Sequence, residues 1–414
     1  MDTLHLMEFL KDMQKEDMYI RYVHQLADLQ VEALNFTEAG LALRLHAELY
    51  EWDPNLTVDP LTEPSMPPQS SFERKEQLYF QMIEYYETGQ SWNNALASYA
   101  ELALQYEHNV FDFVKLARTQ HAVAKIHESI AKGERFNPRY FRVVYRGLGF
   151  PVGLRDKQFI FEGSASDRLA SFTDRMQQQH PSAQVLNPGV EQDVEGQYLQ
   201  IYPVSPQKDL THPIYQRAKV SQSVRDYHLL SQPSHFTSAS RRSPSRATIQ
   251  DNTVEKTVYT TAEAFPTILR RSEIIAVGTV TLTSLQTAIE RISRKTIELA
   301  SLEKKIANGD DTAFNTLTQE LMYAIDTNID GCVANYHDLL PNPRGSMEED
   351  DDVGVHQAEV DPMNPLENAL RVSLIDYALV IRRCLAMYTR PAQQATKSDL
   401  TQRTQMSFFL ACIN

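Results

Sequence analysis

Tyr140-Phe141-Arg142-Val143-Val144-Tyr145 is β-branched or aromatic at every position but one, and it marks where the chain changes texture. Gly147 and Gly149-Phe150-Pro151 punctuate it. Gln158-Phe159-Ile160-Phe161, ended by Gly163, supplies a second run of the same kind. Gln197-Tyr198-Leu199-Gln200-Ile201-Tyr202 and Lys256-Thr257-Val258-Tyr259-Thr260-Thr261 are two more strand candidates. A β-rich middle is therefore expected from about residue 136 to about Val280. Inside it, Ser231 to Asn252 is rich in Ser, Arg, Pro and Thr and reads as a mobile hairpin loop or insertion.

Outward from this middle, both flanks read as helix. Met18 to Tyr50 is rich in Leu, Ala, Tyr and Glu with apolar residues near helical spacing. Phe36, Ala39, Leu43, Ala47 and Tyr50 recur at the same spacing as Trp92, Ala95, Tyr99, Ala103 and Tyr106. A small residue beside a large one at that step lets antiparallel helices approach closely, as in helical repeats, and plain core positions explain each residue equally well. Asp53 to Ser71 holds five prolines and is expected as a loop. On the far side, Leu285, Ile289, Ile292, Thr296 and Leu299 share one helix face. Further helices are expected through Phe314 to Ala324 and Ala369 to Met387. The acidic run Glu348-Glu349-Asp350-Asp351-Asp352 between them reads as solvated loop.

The chain has 414 residues, long for one hydrophobic core, so two or three packed units are expected. Its formal net charge of −14 argues against a general nucleic-acid binder, because an acidic surface repels phosphate. Cys332, Cys384 and Cys412 suit neither a disulfide framework nor a zinc site, which points to a reducing compartment and the cytoplasm. No apolar run approaches membrane-spanning length, so no direct membrane insertion is expected. Met1-Asp2-Thr3-Leu4-His5 shows no secretory signal and leads almost at once into helix, as in a domain cut from a longer protein.

Signals of covalent chemistry are sparse. Gly147-Leu148-Gly149 lacks the third glycine of a dinucleotide-binding pattern. No phosphate-binding loop, zinc-type His-Glu-x-x-His or Gly-x-Ser-x-Gly elbow is present. His121 and His127 are six apart, on different faces of a helix, and make a poor metal pair. Cys332 has no adjacent base and reads as a small buried thiol. Neither a cofactor nor a metal is expected. Periodicity alone gives a large soluble interaction protein, helical at both ends with a sheet between.

Several blocks carry more than periodicity. The stretch Leu6-Met7-Glu8-Phe9-Leu10-Lys11-Asp12-Met13-Gln14-Lys15-Glu16-Asp17-Met18-Tyr19-Ile20-Arg21-Tyr22 resembles the opening helices of the DOCKER domain, the second homology region of the DOCK guanine nucleotide exchange factors. Gly149-Phe150-Pro151, Phe159-Ile160-Phe161, Gly196-Gln197-Tyr198 and Tyr259-Thr260-Thr261-Ala262 continue the likeness. Phe265-Pro266 with Ile268-Leu269-Arg270 extends the last of these. Gly331-Cys332-Val333-Ala334-Asn335-Tyr336 is similar to the family's glycine-containing break in a late helix. The blocks run in family order from residue 6 to about 340, and they look closest to the Rac-directed branch.

The resemblance implies an α+β, mostly helical protein of three lobes. These are an antiparallel helical array (1–135) that commonly dimerises, a lobe of two packed antiparallel β-sheets (136–280), and a four-helix bundle (281–414). The implied partner is a Rac/Rho-family small GTPase. The sheet lobe would engage its first switch, and a loop of the bundle would reach toward nucleotide and magnesium. A valine serves as nucleotide sensor on that loop in the family, and the matching position here is Ile329. Asp330 departs from the usual residue and is expected to pair with a basic group near the GTPase phosphate loop, with solvent exposure as the simpler reading. Gly331 would permit the turn after the sensor. Asn335 and Tyr336 are expected either to restart the helix or to touch the GTPase. Tyr259, Thr260 and Thr261 are expected in the sheet core or on its GTPase-facing edge. Residues 407–414 do not resemble the family's charged final helix. A non-catalytic dimeric scaffold that holds a GTPase is the alternative. An ELMO-type adaptor and recruitment to a membrane are expectations for a longer protein.

Overall fold

Small side chains at the helix crossings set the packing of the N-terminal half. The computed structural model describes residues 9–13, 15–133, 137–186, 195–217, 219–238, 241–242, 254–309, 312–325, 332–333, 336, 339–340 and 364–388. They form an α+β protein that is mostly helical and divides into two compact units. One comprises 1–208, 223–239 and 257–278; the other comprises 209–222, 240–256 and 279–414.

In the first unit, helices α1 (Glu16–Glu32), α2 (Phe36–Ala47), α3 (Ser71–Thr88), α4 (Trp92–His108) and α5 (Phe113–Lys132) each pack on the next. Ala39, Leu43 and Ala47 of α2 and Ala95 and Tyr106 of α4 are buried, while Phe36, Trp92, Tyr99 and Ala103 of the same sequence echo are half-buried. At Gly40 an added Cβ would stand 2.6 Å from the Tyr86 ring, and the missing side chain is what lets α3 come this close. The proline-rich segment expected as loop contains a short antiparallel pair, β1 (Thr57–Val58) and β2 (Gln69–Ser70). Arg74, fully buried, holds that segment by donating to the carbonyls of Asp59 (3.1 Å) and Pro67 (2.8 Å). Ser70 and Glu73 cap α3 reciprocally.

The strands are β3 (Arg139–Arg146), β4 (Gln158–Gly163), β5 (Gln184–Val185), β6 (Tyr198–Pro206), β7 (His235–Ser238), β8 (Arg241–Arg242), β9 (Val254–Thr261) and β10 (Arg271–Leu282). They pair in the order β10-β4-β3-β6-β7-β9-β8, with β5 parallel on β6. β10 also pairs with β9, so the order turns back on itself. All four strands expected from sequence are present. The stretch read as a mobile loop from Ser231 holds a strand instead. β7 pairs with β6 and β9 because Phe236 is apolar enough to be drawn wholly into the core, and residues 243–253 lie outside the described set.

Two cores follow from the alternation along β3. Phe141, Val143 and Tyr145 face one side, where Phe172 and Met176 of helix α6 (Leu169–Gln179) cover them; Phe141 stacks on Phe172 at 4.2 Å. Tyr140 faces the other side and joins Ile160, Val204, Phe236, Tyr259 and Phe265. Helix α7 (Gln222–Leu230) precedes β7.

In the second unit, α8 (Ser284–Ala307) starts at a reciprocal cap between Thr283 and Gln286 and packs against α9 (Ala313–Ile325) and α10 (Pro365–Tyr388). Ile289, Ile292, Thr296 and Leu299 are buried, as are Leu370, Tyr377, Ile381 and Cys384 of α10. The face expected from helical spacing is therefore the packed face. The acidic run 348–352 and residues 407–414 lie outside the described residues.

Under α2 lies a buried polar chain. Nη1 of Arg74 donates to the Tyr50 hydroxyl (3.4 Å), which is 3.0 Å from Nε2 of His46, and Nδ1 of His46 is 2.9 Å from Nε2 of His24. Arginine only donates, so the arrangement that satisfies every group runs Arg74 to Tyr50 to His46 to His24 with both imidazoles neutral. Burial, then His24 and Arg74, push the His46 pKa down from 6.5 to about 3; burial also lowers that of His24, against the pull of Asp28. The unfolded chain takes up these protons near the ordinary value and the folded chain does not. Stability is therefore fully present above about pH 6.5 and declines below it, by up to about 1.4 kcal/mol per pH unit per site. The urea midpoint is expected to fall between about pH 7.5 and about pH 5.5, and His46→Gln should flatten the fall. Equal midpoints in the wild type would contradict the neutral pair.

Candidate functional site

The residues singled out from sequence fall in two places. Ile329, Asp330, Gly331 and Asn335 lie outside the described residues. Their flanks are described. α9 ends at Ile325, and Cys332 and Tyr336 are both buried at 2% exposure. Tyr336 lines a cavity of about 40 Å³ with Arg291, Ile292, Lys295, Glu320, Tyr323 and Tyr377. Lys295 donates to Glu320 at 2.6 Å and sits 3.0 Å from Glu298. Burial alone would lower its pKa, but these two carboxylates outweigh burial and raise it, so the ammonium stays charged. Burial, then Tyr336 and Glu320, raise the Tyr377 hydroxyl well above the ordinary tyrosine range, so it remains a neutral phenol. Such a cavity admits ordered water but no nucleotide. Tyr336 is thus buried among residues of α8, α9 and α10.

The two described thiols, Cys332 and Cys384, are both buried. Cys332 is buried, as its sequence context suggested. Burial, then Glu303, push the Cys384 thiol up to about 12, where the thiolate is scarce at neutral pH. Among the described residues, no three His, Cys, Asp or Glu side chains gather as a metal site would require.

The second place is the strand region of the first unit. Tyr259 is buried and pairs with Phe236 across β7 and β9, and Thr261 is buried with its hydroxyl donating to the carbonyls of Ser234 (3.1 Å) and Glu263 (2.8 Å). Both face the inner core. Thr260 pairs with His235 and faces the opposite side, half-buried. The sequence reading left core and edge open for these three residues. The structure divides them, two inward and one outward.

Sequence reasoning missed two features here. On β10, Arg271 and Glu273 pair with Phe161 and Phe159 of β4, on the outer face. Two steps further along that face, Ile275 and Val277 are 65% and 57% exposed. The signal was present in the β-branched run Ile274-Ile275-Ala276-Val277, apolar on both faces of a strand that has only one face to bury. The other feature is Arg142, the single charged position in the run that opened the β region. Its Nε and Nη2 donate to Oε1 of Gln158 (3.0 and 2.8 Å), and its Nη1 donates to the Tyr259 hydroxyl (2.9 Å).

The connection from β9 to β10 is tied to the helices of the same unit. Arg270, in the left-handed region at φ 55°, donates to Asn35 of the turn before α2 and to the Glu162 carbonyl (3.3 Å), and lies 3.8 Å from the Glu38 carboxylate. Gln30 of α1 donates to the Ile268 carbonyl (2.9 Å). The block Ile268-Leu269-Arg270 thus has a physical task, fixing the base of the β9–β10 ribbon against α1 and α2.

Curated proteins resemble the chain over most of its length. Dedicator of cytokinesis protein 4 of Homo sapiens is 30% identical over 352 residues, 82% of this chain and 17% of that protein. Dedicator of cytokinesis protein 3 of Homo sapiens is 31% identical over 356 residues, again 82% and 17%. DOCK-like protein 1 of Saccharomyces cerevisiae is 27% identical over 400 residues, 93% of this chain and 20% of that protein. The chain thus spans at most a fifth of the length of these relatives. No family model matches it.

Glu38 is only 2% exposed, and its burial raises the carboxyl pKa against the opposing pull of Arg270. Removing the guanidinium strands that carboxylate. Arg270→Ala is expected to cost about 3 kcal/mol in urea unfolding, and adding Glu38→Gln should recover part of the loss. A loss below about 0.5 kcal/mol would show that Arg270 is not the tie.

Proposed function

The chain belongs to the dedicator-of-cytokinesis (DOCK) family, and on that premise we propose that it carries the family's exchange domain and speeds GDP release from a Rac/Rho-family small GTPase. The observation that carries this reading is the 30–31% identity over 82% of the chain.

On this reading the chain works without covalent chemistry. Magnesium needs near-octahedral oxygen ligands and bridges the nucleotide phosphates to the GTPase. Ile329, pushed toward that shell as nucleotide sensor, supplies no ligand and displaces one. The phosphates then lose their counter-charge. Gly331 gives the turn, and Asp330 meets a basic group near the phosphate loop. The strand region holds the first switch away from the nucleotide. Exposed Ile275 and Val277, with Thr260, give it an apolar outer face suited to a protein partner. An exchange factor that prefers the empty GTPase must weaken nucleotide binding by the same factor.

The division into helical, sheet and bundle lobes at 135 and 280 belongs to this reading, as does a homodimer through the helical array. In support of the dimer, Leu104, Phe111, Phe113 and Val114 are large apolar residues left more than half exposed around the α4–α5 turn. A cytoplasmic location is proposed, with membrane recruitment and an ELMO-type adaptor belonging to a longer protein. Among the described residues no helix is long and apolar enough to cross a membrane. A non-catalytic GTPase-binding scaffold is the second reading, favoured by isoleucine at 329 and an acid at 330.

Release of a fluorescent GDP from a panel of Rho-family GTPases separates the two. Wild type is expected to accelerate release from Rac-type members, and Ile329→Ala to lose at least about tenfold of that rate, about 1.4 kcal/mol of barrier. The gap should narrow in excess chelator, where no metal remains to displace. Tight binding to empty GTPase without acceleration would favour the scaffold.

A further inference from the structure

Ile329 stands in sequence between two buried points of the bundle. Ala324, in the last turn of α9, and Cys332, next after Gly331, are both buried, and Tyr336 four positions later is buried again. A short stretch tied at both ends has few paths open to it, so a small shift of either tie moves whatever the stretch carries. The first tie is ordinary apolar packing by Leu317, Leu321 and Ala324 of α9. The second is of another kind.

Tyr336 enters a polar space. It lines the cavity of about 40 Å³ together with Ile292 and Lys295 of α8, Glu320 of α9 and Tyr377 of α10, so these helices meet around one side chain. Lys295 donates to Glu320 at 2.6 Å and sits 3.0 Å from Glu298, which places the ion pair joining α8 to α9 beside the ring. Tyr377 is buried too, and Tyr336, Glu320 and Cys332 all stand near enough to act on its hydroxyl. An apolar side chain would fill this space at a lower desolvation cost, but apolar contact has no preferred direction. A phenol set among a lysine, a carboxylate and a second phenol has a preferred orientation as well as a preferred depth. It therefore fixes the register of the chain that carries it.

We propose that Tyr336 is a positioning residue for nucleotide exchange: seated among α8, α9 and α10, it sets how far forward Ile329 stands, without itself touching the GTPase. The assignment rests on the exchange-factor reading given above. A clash with a metal shell is decided within about an ångström, a displacement that by itself can cost about 100-fold in rate. A tie that yields would keep Ile329 in the sequence and lose its effect. The buried ring is out of a partner's reach, so its influence passes through the chain.

The test measures the affinity of the full chain for one Rac-type GTPase in two forms, nucleotide-free and loaded with GDP and magnesium. Tyr336→Ala is expected to bind the empty form as wild type does and the loaded form at least about tenfold more tightly, so the preference for the empty form narrows by that factor. Weakened folding alone would lower the competent fraction for both forms alike and leave their ratio unchanged. Leu370→Ala, at a buried position of α10 that does not line the cavity, should show that second pattern, with a lower unfolding midpoint and the ratio kept. Ile329→Ala should narrow the ratio, and adding Tyr336→Ala should narrow it no further, since a sensor that is gone cannot be misplaced. Tyr336→Phe keeps the ring and should narrow the ratio roughly threefold through loss of the hydroxyl. It decides the matter alone if Tyr336→Ala does not fold. If Ile329→Ala narrows the ratio and the Tyr336 variants that fold leave it at the wild-type value, the positioning role is overturned and the exchange reading stands. If wild type has no preference for the empty form, the reading and the assignment fall together.

Discussion

A guanidinium cannot shed its proton, so an arginine covered by this fold draws acceptors to most of its donors. Three such sites organise the first unit. Arg74, with no exposed surface, gathers Tyr50 and the carbonyls of Asp59 and Pro67, and so converts a proline-rich loop into a fixed part of the helical array. Arg270 draws Asn35, Glu38 and the Glu162 carbonyl together, and ties the ribbon of β9 and β10 to α1 and α2. Arg142 is held by Gln158 and Tyr259 inside the curled sheet. Apolar burial supplies the bulk of the stability, but it is non-directional, and these hydrogen bonds choose which of many compact arrangements is adopted.

The three sites differ in their partners: Arg74 and Arg270 find backbone carbonyls or carboxylates, whereas Arg142 finds the Gln158 amide and the Tyr259 hydroxyl. On the bundle side, the cluster of Tyr336, Tyr377, Lys295 and Glu320 fastens the chain a few residues beyond Ile329.

Much of this was readable before any coordinates. Tyr140–Tyr145 is β-branched or aromatic at all but one position and so was legible as a strand, and the helix faces at Ile289–Leu299 and Leu370–Cys384 are those that helical spacing selects. Helices α6 and α7 escaped notice because they are short and largely polar, as Gln177-Gln178-Gln179 illustrates, with too few apolar residues to establish a period. β7 was read as loop because four residues cannot outweigh the Ser, Arg and Pro that follow. The candidate site was legible only as an exception. Arg142 broke the pattern of its strand, but Gln158 and Tyr259 lie 16 and 117 positions away, and no local rule connects them. Sequence likewise could not tell which of Tyr259, Thr260 and Thr261 faces inward, because an aromatic and two threonines suit either side of a pleat.

The central claim is thermodynamic: the chain prefers an empty GTPase to a loaded one. The most direct measurement is its affinity for one Rac-type GTPase in two forms, nucleotide-free and loaded with GDP and magnesium, by titration calorimetry. The account predicts that the empty form binds at least about 100-fold more tightly, a difference of about 2.7 kcal/mol, and that GDP affinity falls by the same factor when the chain is bound. Equal affinity for the two forms would contradict it, however tight the binding.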